Sequence, residues 1–140
     1  MGKKKLITGI LLDIHNLGLR VLEAVLTNAG FDVIYIGARL FQEDFIRAAQ
    51  ETDADAILVS SSNGHAGIDA EGMREKCQEA GLENILMYIG GNLVISQQCR
   101  DWSEIEDVFK NMGFNRVYPT SVKPQDIVND LKKDLEVVSD

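Results

Sequence analysis

Cysteine is scarce in this chain, with two residues in 140, Cys77 and Cys99. They form no C-x-x-C pair, and neither has a second cysteine or a histidine at metal-ligand spacing. Both read as ordinary reduced thiols that say nothing about function. Long apolar runs are absent as well. None approaches the ~18 residues of a membrane span, and the first residues lack a signal peptide's apolar core and cleavage site. The cytoplasm is therefore the expected location, with no membrane partner. Positive charge is the minority sign, 14 Lys and Arg against 22 Asp and Glu, for a net charge of -8. That balance argues against nucleic acid and anionic membrane surfaces. The one basic run, Lys3-Lys4-Lys5, reads as a solvated tip.

What the chain does have is a 45% hydrophobic content, enough for one domain with a proper core over residues 1–140. Apolar runs recur at Leu6–Leu12, Val33–Ile36, Ala56–Val59, Ile85–Ile89 and around Val117-Tyr118. Each is too short for a helix and rich enough in branched residues for a buried strand. Amphipathic stretches lie between them. In Leu17–Ala29, residues Val21, Leu22, Val25, Leu26 and Ala29 recur at helical spacing. The junctions Asn28-Ala29-Gly30-Phe31, Glu79-Ala80-Gly81-Leu82 and Asn111-Met112-Gly113-Phe114 each precede a strand candidate. A glycine there can end a helix in the left-handed conformation, and the next apolar residue packs back on the last turn. Ser103 and Glu106 have capping-box spacing, and Pro124 suits a first helical position.

Five β-α units with no linker predict an α/β fold. The expectation is a flavodoxin-like (Rossmann-like) doubly wound parallel sheet of five strands in the order 2-1-3-4-5, with helices on both faces. Such sheets bind ligands beyond the carboxyl ends of their strands, at the switch point between strands 1 and 3. Small and polar residues collect at that edge. Strand 1 is followed by Asp13-Ile14-His15-Asn16-Leu17-Gly18, strand 3 by Ser60-Ser61-Ser62-Asn63-Gly64, and strand 4 by Gly90-Gly91-Asn92. The loop Gly37-Ala38-Arg39-Leu40 is less pointed. Taken singly, these are a capping aspartate with a surface histidine, a polar loop and a turn. Their coincidence on one edge is what points to a ligand.

The chemistry narrows further at Asp13-x-His15. A neutral imidazole can bind a metal through one nitrogen while the other donates to a carboxylate, which fixes the tautomer and raises ligand basicity. One histidine cannot hold a free zinc ion. Single-histidine ligation makes sense when a macrocycle supplies the remaining ligands. Gly90-Gly91 allows close approach of a bulky group to the backbone, and Ser60 to Ser62 can hydrogen-bond a ligand while occupying little space.

Together, Asp13-x-His15-x-x-Gly18, then Ser60 after 41 further residues, then Gly90-Gly91 resemble the cobalamin-binding domain family. Segments outside that pattern are similar to the small subunits of glutamate mutases over almost the whole chain. They are Phe41-Gln42-Glu43-Asp44-Phe45-Ile46, Met73-Arg74-Glu75-Lys76-Cys77, Gly90-Gly91-Asn92-Leu93-Val94 and Gly113-Phe114-Asn115-Arg116-Val117-Tyr118-Pro119. The resemblance implies that His15 displaces the dimethylbenzimidazole of adenosylcobalamin and becomes the lower axial ligand of cobalt, with Asp13 hydrogen-bonded to it. It implies cofactor contacts from Leu12, Asp13, Ile14, His15, Asn16 and Gly18. Further contacts are implied from Ser60, Ser61 and Ser62, and along Gly90, Gly91, Asn92, Leu93, Val94, Ile95 and Ser96, with the displaced nucleotide tail in a slot beside Ser60 and Gly90-Gly91.

No residue of this chain is implied to be catalytic. Cleavage of the cobalt–carbon bond gives a radical that starts the interconversion of L-glutamate and threo-3-methyl-L-aspartate. The implied partner is a large barrel (epsilon-type) subunit, in a heterotetramer of two small and two large chains. The chain alone is expected to be inactive.

The sequence departs from the family pattern at Ser62, where a leucine is expected, at Asn63 in place of a tyrosine, and at Leu12 in place of a small polar residue. These exchanges alter the tail slot and leave the ligand histidine and its aspartate in place. Other readings remain: the cobalamin-binding module of a different mutase, or of a methyltransferase. Methyl carriers place a helical bundle ahead of this domain, whereas strand 1 is expected here within the first six or so residues. A receiver domain would need an aspartate at the end of strand 3, where Val59-Ser60-Ser61 stands. A flavin carrier would need a Ser/Thr-rich phosphate loop after strand 1. His65 and Trp102 read as surface or packing residues.

Overall fold

The computed structural model describes residues 3–11, 17–61, 70–91, 93 and 101–135. Within them strands and helices alternate as β1 (Lys5–Ile10), α1 (Leu17–Asn28), β2 (Asp32–Tyr35), α2 (Gln42–Thr52), β3 (Ala56–Ser60), α3 (Met73–Glu79), β4 (Leu86–Gly90), α4 (Trp102–Asn111), β5 (Arg116–Tyr118) and α5 (Pro124–Asp134). The strands form one parallel sheet in the expected order β2-β1-β3-β4-β5. Strand order therefore reverses between β1 and β3. No helix among the described residues is long and apolar enough to cross a membrane.

Alternation along the strands builds a core on each face. Ile7, Ile57, Val59, Met87, Ile89 and Val117 face Phe45, Ile46 and Ala49 of α2, Met73 and Cys77 of α3, and Phe109 of α4. Leu6, Ala56, Leu58, Tyr88 and Tyr118 face Leu26 of α1 and Ile127, Val128 and Leu131 of α5. Cys77 is a buried free thiol, as read from the sequence; Cys99 and His65 lie outside the described residues. The three helix-ending glycines have positive φ, 101° at Gly30, 83° at Gly81 and 109° at Gly113. Phe31 and Phe114 behind them are buried. Pro124 opens α5.

Two local expectations are corrected. The Ser103 cap does not form. The first helical bonds run to the Asp101 carbonyl, from Glu104 at 3.1 Å and Ile105 at 3.4 Å, so Ser103 sits inside the first turn. Trp102, Ile105 and Phe109 all pack on the core, and that spacing draws Trp102 into the helix ahead of Ser103. On α1, Val21 is 51% exposed. The buried stripe is centred on Leu19, Leu22 and Leu26, and at 100° per residue Val21 lies about 130° from that centre, on the solvent side.

The α5 face is closed by polar tethers. Arg116 Nε and Nη2 donate to the Asp134 carboxylate at 2.7 and 2.9 Å. Tyr88 also donates to Asp134, and Tyr118 donates to Asp130 at 2.7 Å. On the other side Arg74 joins α3 to the start of β5, donating to the carbonyls of Ile85 and Gly113 and to Asn115 Oδ1.

Candidate functional site

The carboxyl edge of the sheet is built around a row of four residues in register. Ile10 pairs with Ser60, Ser60 with Gly90, and Gly90 with Tyr118. These positions lie two residues beyond Thr8, Leu58, Tyr88 and Arg116, so they share the face that carries α1 and α5. Ile10 and Tyr118 are buried side chains. Between them stand a serine and a glycine, which leaves a shallow channel on the sheet. At a strand spacing of ~4.8 Å, the row from Ile10 to Tyr118 spans about 14 Å.

The two glycines of Gly90-Gly91 do different things. Gly91 has φ 119°, a conformation that side chains rarely adopt, so it turns the chain. A Cβ on Gly90 would meet Tyr118 at 3.5 Å, an ordinary contact. Gly90 is thus not needed for conformation, and its bare surface keeps the channel open.

Backbone bonds fix this edge. Leu11 N–H donates to Ser60 at 2.9 Å and Ser61 N–H to Gly90 at 3.0 Å, extending the ladder past the strands. The loop after β2, given little weight in the sequence, is bound to the same edge. Ile10 donates to the Gly37 carbonyl and Leu40 to the Ile10 carbonyl, each at 3.0 Å, and Leu11 bridges to Leu40. Arg39 in that loop has φ 57°.

Of the residues expected at the site, Ser60, Ser61, Gly90 and Gly91 come together here, and Gly18 is the second residue of α1. Leu93 is buried in the layer of α2, α3 and α4, and its N–H donates to Gly91 at 3.0 Å. Leu12, Asp13, Ile14, His15, Asn16, Ser62, Asn92, Val94, Ile95 and Ser96 lie outside the described residues.

Some polar atoms of the site have no partner among the described residues. Ser61 Oγ is buried and unbonded, and so is Thr8 Oγ1 beneath α1. Glu23 of α1 lies near Thr8, and its Oε1 is likewise without a hydrogen bond, although Arg20 Nη1 stands 3.5 Å away. Burial pushes the Glu23 carboxyl above its ordinary range, with Arg20 and Thr8 partly offsetting this. Arg20 in turn lies over the Tyr35 ring, 4.3 Å from its centroid. A channel with a bare floor at Gly90 and an unbonded Thr8 hydroxyl farther in on the same face fits a large, partly polar ligand. Thr8 and Glu23 were missed in the sequence. The signal was one hydroxyl in the apolar run Leu6–Leu12 and one carboxyl in the apolar stripe of α1.

Residues 3–113 match the family described as B12 binding domain. The chain is 49% identical over 138 residues to the glutamate mutase sigma subunit of Clostridium cochlearium, covering 98% of this chain and 99% of that one. It is 48% identical over 136 residues to the sigma subunit of Carboxydothermus hydrogenoformans, covering 96% and 98%. The chain belongs to this family, the glutamate mutase sigma subunits. Its fold is shared more widely. A cobalamin-binding protein from Desulfitobacterium hafniense superposes with a TM-score of 0.75 at 17% identity, over 94% of this chain and 59% of that one. The receiver domain of NarL from Mycobacterium tuberculosis gives 0.68 at 14% identity, over 99% and 100%. These two show architecture alone. The end of β3 in this sigma-family chain carries Ser60-Ser61 and no aspartate of the kind a receiver phosphorylates.

Proposed function

We propose that this chain is the cofactor-binding half of a two-chain isomerase. It binds adenosylcobalamin at the carboxyl edge of its sheet and presents it to a larger barrel subunit. Together they interconvert L-glutamate and threo-3-methyl-L-aspartate. Near-full-length similarity to glutamate mutase sigma subunits carries this reading, and the open Ser60–Gly90 channel with its unbonded polar atoms is in keeping with it.

When bound, the cofactor supplies the radical chemistry through its cobalt–carbon bond. This chain's part is to hold and orient it. His15 would hold the cobalt of the bound cofactor through one ring nitrogen, and Asp13 would accept the imidazole's other N–H and keep the metal-binding nitrogen unprotonated. Ser60 and the bare face of Gly90 would receive the displaced nucleotide tail. Substrate recognition falls to the barrel subunit, in an assembly of two small and two large chains.

The test mixes the purified chain with adenosylcobalamin, follows the absorption spectrum, and then assays isomerisation with and without the barrel subunit. The expected result is a base-off, histidine-bound spectrum and turnover only with both chains. A base-on spectrum at saturation, or robust glutamate isomerisation by this chain alone, would overturn the proposal.

A further inference from the structure

Beneath α1, a fully buried hydroxyl on β1 and a largely buried carboxyl on α1 lie near one another, Thr8 and Glu23. Thr8 is fully buried on β1, and neither its Oγ1 nor the Oε1 of Glu23 has a hydrogen-bond partner among the described residues. A valine would pack at position 8 without leaving an orphaned hydroxyl. Three other polar side chains on this face of the sheet, Tyr88, Arg116 and Tyr118, are engaged. Tyr88 and Arg116 are held by Asp134, and Tyr118 by Asp130. Thr8 Oγ1 is left without a close partner, and Glu23 Oε1 has only the Arg20 guanidinium, 3.5 Å away.

Their position says what could complete them. Thr8 pairs in register with Leu58, two residues below Ser60 on the same face, or about 7 Å in from the edge at strand rise. A flat group that enters over Ser60 and Gly90 and runs down the sheet under α1 reaches this pair. We infer that Thr8 and Glu23 are the polar floor of the tail slot and bind the ring nitrogen of the base released from cobalt. The inference rests on the cobalamin reading above. The released nitrogen has an in-plane lone pair and no metal, so it requires a donor. Thr8 donates to one oxygen of the Glu23 carboxyl, and the other oxygen, carrying the proton, donates to the ring nitrogen. One relay satisfies both orphaned groups and the base. Desolvation raises the proton affinity of Glu23 against the opposing pull of Arg20, a direction in keeping with that proton.

The test titrates wild type, Thr8→Val, Glu23→Met and Glu23→Gln with adenosylcobalamin. A parallel titration uses adenosylcobinamide, which has the same corrin and lacks the nucleotide base. Thermal unfolding is measured without ligand. Thr8→Val and Glu23→Met should each weaken adenosylcobalamin binding about tenfold and leave adenosylcobinamide binding unchanged. Glu23→Gln, whose amide both accepts and donates, should restore cobalamin binding to within about threefold of wild type. Thr8→Val should raise the apo melting temperature, because it removes an unpaired buried hydroxyl. Equal losses for both ligands, or no loss in any variant, would overturn the inference while leaving the cofactor reading intact. Wild-type protein that binds neither ligand would overturn the cofactor reading itself.

Discussion

Arg116 and Asp134 are joined by a two-pronged ion pair, with Nε and Nη2 of the guanidinium donating to the two carboxylate oxygens. The pair ties β5 to the last turn of α5. The hydrogen bonds from Arg116 hold the Asp134 carboxyl below its ordinary value of 3.8, against the opposing effect of burial. A depressed carboxyl pKa contributes stability that is complete above the unfolded value and is lost as pH falls through the folded one. Wild type should therefore melt well above Asp134→Asn at neutral pH, and the gap should narrow below about pH 4. Thermal unfolding of both proteins between about pH 3 and pH 7 measures it, and a constant gap would remove Asp134 ionisation from the account.

Arg74 and Gly113 give a second stability prediction. Nε and Nη2 of Arg74 donate to the Gly113 carbonyl at 3.0 and 2.9 Å, and Nη1 donates to Ile85 at 2.8 Å. Arg74→Met keeps the aliphatic packing but strands these acceptors, and should cost about 2–3 kcal/mol in urea unfolding. Gly113→Ala should also destabilise, by about 1–3 kcal/mol. Its Cβ would fall 2.5 Å from the Arg74 Cβ, at a φ of 109°. A variant within a few tenths of wild type would deny that this junction is tightly fitted.

Gly90 separates fold from binding. Because a Cβ there meets Tyr118 at 3.5 Å, Gly90→Ala should fold with nearly unchanged stability. Gly90→Leu fills the channel beside Ser60 and should weaken adenosylcobalamin binding at least about tenfold, leaving adenosylcobinamide binding as it is. Calorimetric titration with the two ligands reads this directly. Full cobalamin affinity in the leucine variant would move the tail elsewhere.

For the axial pair, His15→Ala should remove nitrogen coordination from cobalt, and Asp13→Asn should weaken it. Losing the carboxylate that orients a metal-ligating histidine typically costs about 10–100-fold in affinity or activity, so Asp13→Asn should fall between wild type and His15→Ala. The measurement is cofactor affinity, together with nitrogen coupling in the spin-resonance spectrum of the cob(II)alamin form with ring-labelled histidine. Bound cobalamin without coupling to the labelled ring would return Asp13 and His15 to a capping residue and a surface imidazole.

The alternation of short branched runs with amphipathic stretches was enough, by itself, to determine the α/β class. The strand order 2-1-3-4-5 was the flavodoxin-like expectation for five strands in a chain of this length, and the sheet has it. The helix-ending glycines Gly30, Gly81 and Gly113 were legible because only a residue without Cβ takes those φ values freely. The motif residues Ser60 and Gly90 were legible for a different reason, since spacing places them at strand ends whatever their neighbours are. Three things were decided only by tertiary structure. Val21 lost its place on the buried face of α1 because the axis of that stripe is set by the sheet beneath it. Trp102 displaced Ser103 from the helix start because the core drew it in. The channel at Gly90 and the meeting of Thr8 with Glu23 exist because register sets Ser60 beside Gly90 and α1 packs its carboxyl over β1. Periodicity describes the faces of one element, whereas these relations join residues far apart in sequence, and only packing brings them together.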